Sequence, residues 1–168
     1  MPAVQPTEFR YTRAIITFFA AYVIVTLLAA ALSMAAEAAM HNPPTRDMVH
    51  SPSYVFAERF FPIINVLVWT AFSWVYFKFR RSAPVLLSRE ALTLGAFWLL
   101  FAILVDYVGF VLIKNPISLS AHDFYIGQFP WIYLIYLVIL VSPILYATLR
   151  SKRANRHFDL THNLSRSL

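Results

Sequence analysis

The chain has 168 residues, of which 60% are apolar, 17% aromatic and 13% charged. A soluble domain carries about 25% charged residues, and here the charges are confined to short clusters between long apolar runs. That pattern excludes a soluble enzyme, a disulfide scaffold and a disordered tail protein. The chain has no cysteine, which also excludes thiolate catalysis, Cys-ligated zinc and Cys-ligated iron–sulfur clusters. The net charge of +6 flanks the apolar runs and forms no single patch. It therefore reads as membrane topology, and no nucleic-acid partner is expected.

The first apolar run, Ala14 to Met40, lies between Arg13 and His41. It is longer than the ~7–15-residue apolar core of a cleaved signal, so it predicts a retained helix over residues 13–40. The second run, Phe60 to Phe77, is closed by Lys78, Arg80 and Arg81 and predicts a helix over 57–79. The third, Ala91 to Ile113, sits between Arg89/Glu90 and Lys114 and predicts 89–114. The fourth, Pro130 to Leu149, is closed by Arg150, Lys152 and Arg153 and predicts 130–150. Each suits a bilayer core of ~30 Å, which takes roughly 20 helical residues to cross. The expected fold is all-α: a four-transmembrane-helix bundle over residues 1–153, with a basic tail over 154–168. Asn42-Pro43 and Asn115-Pro116, each followed by a Phe-Pro pair, punctuate the two longer connections alike. They suggest two helical hairpins in the same orientation.

Basic residues set the expected orientation. Arg10, Arg13, Lys78, Arg80, Arg81, Arg89, Arg150, Lys152, Arg153, Arg156 and Arg166 fall on one side. Arg46, Arg59 and Lys114 fall on the other, which accounts for all 14. The positive-inside rule then places both termini in the cytoplasm, with the chain in a plasma or inner membrane. The tail suits solvent or the headgroups of anionic lipid.

An ionisable residue within a span is a functional hypothesis in its own right. Asp106 lies seven residues before Ile113, about 10 Å from the outer end of its helix. Gly95, Ala102 and Gly109 recur every seven residues beside it, a small-residue seam that admits another helix. Asp106 is therefore expected to face the bundle, either protonated or paired with a cation. The first helix carries Thr26, Ala30, Ser33, Glu37 and His41 on one face, with Glu37 and His41 spaced for an i,i+4 pair. Glu58, Asn65 and Trp69 share a face of the second helix, and an Asn65–Asp106 contact fits their depths. Tyr133 and Tyr136 stand on the fourth helix ahead of Pro143, which removes a backbone bond. The expected ligand-binding set is thus Asp106, Glu37, Asn65, Glu58, His41, Trp69, Tyr133 and Tyr136.

No cofactor or resident metal is expected. The histidines lie in loops, at helix ends or in the tail, which argues against bis-His haem. His41, Asp47, His50, His122 and Asp123 show no recognised metal-ligand spacing. Three functions fit this pattern. The first is binding or transport of a cation, proton or small amphipathic solute in an outward-facing acidic and aromatic pocket. Four helices are few for a transporter, so that reading implies a homodimer or a partner membrane subunit. The second is intramembrane acid/base catalysis on a lipophilic substrate. In layout alone, four helices with acids in the outer half, the chain resembles the small sterol-isomerase-like membrane proteins, without a shared residue motif. That resemblance implies isomerase-type proton shifts. The third is a non-catalytic subunit or assembly factor.

Overall fold

Every regular element among the described residues is helical. The computed structural model describes residues 9–41, 50–78, 84–114 and 118–166, with side chains left out at 84–86 and 154–166. Asn42-Pro43, Arg46, Asp47, Arg80, Arg81 and Asn115-Pro116 lie outside the described residues.

The first helix, α1, spans Tyr11–Met40 and ends at His41, whose φ of 52° is left-handed. Helix α2 is short, Pro52–Glu58. Ser51 caps it by accepting the Tyr54 amide at 3.2 Å, and Pro52 stands where no intrahelical N–H is needed. Helix α3, Phe61–Phe77, also carries a proline in its first turn. The axes of α2 and α3 bend by 42° at Arg59 and Phe60. The single helix expected over 57–79 is thus a bent pair that begins at Pro52. Helix α4 spans Pro84–Asp106 and continues as a wide π-helical turn over Tyr107–Leu112. A second such turn covers Asp123–Gly127. Helix α5, Trp131–Arg166, runs on past Arg150 through the expected tail.

Three stretches are long and apolar enough to cross a membrane: Tyr11–Met40, Leu87–Leu112 and Trp131–Arg153. The bent α2–α3 pair makes a fourth if it is counted as one span. Exposed Ile16, Phe19, Val23 and Leu27 line the outside of α1. Such a surface suits hydrocarbon and not water.

Side-chain bonds fix how the helices run. Trp98 donates its indole N–H to the Ala14 carbonyl at 3.0 Å, and Tyr22 donates its hydroxyl to Asp106. Both pairs join residues 84 apart, so α1 and α4 run parallel in one register. Arg13 bonds the Val75 carbonyl and Arg150 the Phe77 carbonyl at 3.1 Å. The C-terminus of α3 therefore lies beside the start of α1 and beside Arg150 of α5. That end of the bundle is called proximal below, and the end holding Asp106 distal.

The core joins the helices through Phe18, Trp69, Tyr76, Leu94, Trp98 and Ala102, each at most 1% exposed. At Gly95 α4 rests directly on the α5 backbone. A Cβ there would stand 2.2 Å from the Leu140 carbonyl oxygen. The expected seam is real at Gly95 and at fully buried Ala102, but a Cβ at Gly109 meets nothing within 4 Å. The reason is local: Gly109 belongs to the π-helical turn, whose wider winding turns it off the α4–α5 line. Pro143 is buried within α5, and its missing N–H leaves the Ile139 carbonyl without its helical donor.

Candidate functional site

Asp106 is 8% exposed, in the last turn of α4 before the wide turn begins. Its Oδ1 accepts from the Tyr22 hydroxyl of α1. Its Oδ2 accepts from the Tyr136 hydroxyl of α5 at 2.8 Å. One carboxyl thus ties three helices together, and each oxygen carries one donor. The level is set by the repeat: Asp106 stands two turns above Trp98, about 12 Å along the helix. Tyr125 lies on the second wide turn and is partly exposed. Phe124 beside it stacks on Phe110 with centroids 5.6 Å apart, which folds the connection over the distal end.

The expected set of polar residues divides. Asp106 and Tyr136 meet as described. Asn65 is 2% exposed, but its amide is committed elsewhere: Nδ2 donates to the Phe61 carbonyl at 2.8 Å. Its Oδ1 accepts from Trp69 Nε1 at 2.9 Å. The amide therefore finds its partners within its own helix, and the expected Asn65–Asp106 bond is not formed. Trp69 carries that network into the core, with ring centroids 5.6 Å from Phe18 and 5.1 Å from Trp98. Glu58 is 9% exposed and stands by Trp131, Arg59 and His50 near the start of α5.

Glu37 and His41 are exposed. They lie 15 and 19 residues beyond Tyr22 on α1, a rise of at least about 22 Å, which removes them from the triad. His41 Nδ1 lies 3.2 Å from the Ala39 carbonyl, so the expected Glu37–His41 pairing gives way to a local backbone contact. The Thr26 and Ser33 hydroxyls likewise bond back to the Tyr22 and Ala29 carbonyls. Tyr133 is 45% exposed and packs on Phe129. It stands three residues from Tyr136 but on the outer flank of α5.

Tyr22 is the functional candidate that sequence reasoning missed. The signal was present, because Tyr22 precedes Thr26 by four residues and extends the same stripe one turn further into the membrane. The proximal pair was missed as well: Tyr76, 1% exposed, donates to Glu90 at 2.9 Å, and Glu90 is 7% exposed.

Among the described residues there is no group of three or more His, Cys, Asp or Glu side chains placed to hold a metal ion. His122 and Asp123 approach to 3.5 Å at the surface. The Ser120 hydroxyl bonds the Asp123 carboxylate at 2.7 Å. That bond, and then His122 beside it, hold Asp123 below the ordinary carboxylate range. A shallow apolar cavity of about 180 Å³ lies between α3 and α5, lined by Val66, Leu137, Val138, Val141, Ser142 and Leu145. Its lining does not include Asp106, Tyr22 or Tyr136. No protein family, curated protein or solved structure matches the chain.

Proposed function

We propose that the chain is a four-span protein of a plasma or inner membrane, with both termini cytoplasmic, that binds a proton or a single cationic group at Asp106. The distal end then faces outward. The observation that carries this reading is a buried carboxyl placed inside a span, with each oxygen turned to a hydroxyl on a different helix. Such a group is costly in hydrocarbon and is kept where it does work. The same charge asymmetry that sets the orientation supports counting α2–α3 as one bent span. An odd number of spans would leave α5 and its basic extension on the wrong side.

The division of the acidic residues narrows the ligand. Glu37 and Glu58 stand apart from Asp106, so a multidentate metal site has too few donors. A proton needs only the carboxyl. Taking one up changes its bonding, because a protonated carboxyl keeps less acceptor capacity for two hydroxyls. The tie between α1, α4 and α5 then slackens, which couples occupancy to helix packing. If this coupling drives transport, four helices imply a second copy or a partner subunit.

The test is Asp106→Asn. An amide can still take part in hydrogen bonds, so the variant keeps its helical circular dichroism and elutes as wild type does in detergent. Thermal midpoints of the wild type shift with pH, and those of Asp106→Asn lose that shift. Identical pH profiles for the two proteins would return Asp106 to a purely structural role.

A further inference from the structure

Outside the triad, α3 and α5 leave a groove between them. It is the apolar cavity of about 180 Å³ lined by Val66 of α3 and by Leu137, Val138, Val141, Ser142 and Leu145 of α5. Leu137, Val141 and Leu145 are exposed, so the groove opens on the outside of the bundle. Ser142 turns its hydroxyl back onto the Val138 carbonyl at 2.7 Å, which keeps its polarity out of the lining. An unfilled groove forfeits contacts along its walls, and within a span the available filling is a hydrocarbon chain.

The same face of α5 runs on to positive charge. Lys152 follows Leu145 by seven residues and Val141 by eleven, close to two and three whole turns, so it stands under the groove. Arg153 follows Ser142 by eleven in the same way, and both cations are exposed. On the other wall α3 ends at Lys78, also exposed, whose Nζ stands 5.0 Å over the Trp74 ring. The two helices are held side by side at this level. Arg150 bonds the Phe77 carbonyl at 3.1 Å, and the Phe77 and Tyr146 rings stack with centroids 5.7 Å apart. The C-terminus of a helix by itself repels phosphate, but Arg13 and Arg150 sit on the last carbonyls of α3 and offset that field. The depths agree as well. The rise is about 10 Å from Lys152 to Leu145 and about 12 Å from Leu145 to Leu137. Together they match one headgroup layer of roughly 5–7 Å and the ~15 Å of hydrocarbon in one leaflet.

We infer that the α3–α5 groove and the cations Lys78, Lys152 and Arg153 beneath it form a site for one anionic phospholipid. Its acyl chain lies along Val66 and the Leu137–Leu145 face, and its phosphate headgroup lies at the proximal surface. The groove alone takes any chain, and the cations alone draw any anionic surface. Joined at this spacing, they select a lipid of negative charge. The site shares no residue with the Asp106 triad, so it stands or falls apart from the proton reading.

The test is electron spin resonance of chain-labelled lipids on protein reconstituted into phosphatidylcholine vesicles. Labelled phosphatidylglycerol is expected to associate with the protein roughly fivefold more strongly than labelled phosphatidylcholine, the worth of one basic residue near a headgroup. Lys152→Gln combined with Arg153→Gln brings that ratio near one. Arg150 is left in place because it holds α3. Val141→Phe fills the groove, keeps every charge and also brings the ratio near one, and Leu145→Phe does the same at the proximal end of the groove. Leu104→Phe, on the exposed surface of α4, leaves the ratio as in wild type. Each variant is measured once circular dichroism shows wild-type helix content. Equal association of the two lipids with wild type overturns the inference. So does a preference that survives both groove-filling variants, since the cations then act without the groove. A wild type that elutes as a dimer and becomes a monomer on Val141→Phe gives the groove to a second copy of the chain, and overturns it too.

Discussion

The two ends of the bundle hold α1 and α5 by different groups. At the proximal end Arg13 of α1 and Arg150 of α5 reach the last carbonyls of α3. Those carbonyls have no intrahelical donors and carry the negative end of the helix dipole. A guanidinium keeps its proton across the accessible pH range, so this fastening is indifferent to pH. At the distal end the fastening is one carboxyl between Tyr22 and Tyr136, and its capacity to accept depends on its protonation. The proximal guanidinium bonds are thus indifferent to pH, although the Tyr76–Glu90 bond beside them is again a tyrosine on a carboxyl, and the distal tie of α1 to α5 rests on its carboxyl alone.

The largest effect is expected from a substitution that breaks both ends together. Gly95 lets α4 rest on the α5 backbone, and an added Cβ would sit 2.2 Å from the Leu140 oxygen. The obstacle is backbone, which cannot rotate away. Gly95→Leu therefore costs about 3 kcal/mol, at the upper end of overpacking, or prevents assembly. Gly109→Ala, with open space around it, changes the thermal midpoint little. Comparing the two midpoints in detergent separates a true seam position from a glycine that only shares its spacing. Equal losses at the two sites would mean that α4 and α5 are not held as described.

A smaller effect sharpens the contrast between the ends. Arg13→Met keeps much of the side chain's length but removes the bond to Val75 and the charge that lies 6.0 Å over the Tyr76 ring. The expected loss is about 1–2 kcal/mol, the scale of a partly buried cation at a helix C-terminus. It should be the same at every pH. Tyr22→Phe removes one donor from Asp106 and costs about 1 kcal/mol, the scale of a hydrogen bond between spanning helices. Its cost shrinks as Asp106 takes up a proton, because that bond is then already weakened. Thermal midpoints of both variants against pH test this. Parallel curves for Tyr22→Phe and wild type would erase the difference between the ends.

Much of the frame was legible in the sequence because hydropathy and charge report directly on helix length and flanks. Three spans and the burial of Asp106 follow from those two signals. Asp106 and Tyr136 both stood in the expected set, but helical spacing within each span does not say which residues of two spans meet, and their bond is read from the structure alone. What failed is instructive in physical terms. Depth in a span does not say which way an amide turns, and Asn65 satisfies itself on Phe61 and Trp69 within its own helix. Depth measured from one end also misleads when helices differ in length. In α1, 30 residues long, Glu37 lies far beyond the level of Asp106 although both read as belonging to the outer half. The break between α2 and α3 was hidden because Phe61-Pro62 reads equally well as the start of one helix or as a bend between two. Tyr22 was overlooked because a tyrosine in an apolar run counts as core unless a carboxyl is sought opposite it.

The smallest effect tests whether the distal pH response belongs to Asp106 or to the connection above it. Ser120 accepts the Asp123 amide at 3.0 Å and donates to its carboxylate at 2.7 Å. Chiefly through that bond, and then through His122, Asp123 is held below its ordinary value. A carboxyl depressed in the folded state adds stability above its unfolded value, near ~3.9. That stability is lost as pH falls through the folded value. The contribution of Asp123 is therefore an acid-side feature only. Ser120→Ala removes the donor, so the Asp123 carboxyl titrates at higher pH, followed by carbon NMR of the labelled side chain. The Asp106-dependent shift in thermal midpoint should stay where it is. If Ser120→Ala moved that shift as well, the connection and the triad would be one titrating unit, and the distal fastening would have to include the surface carboxylate.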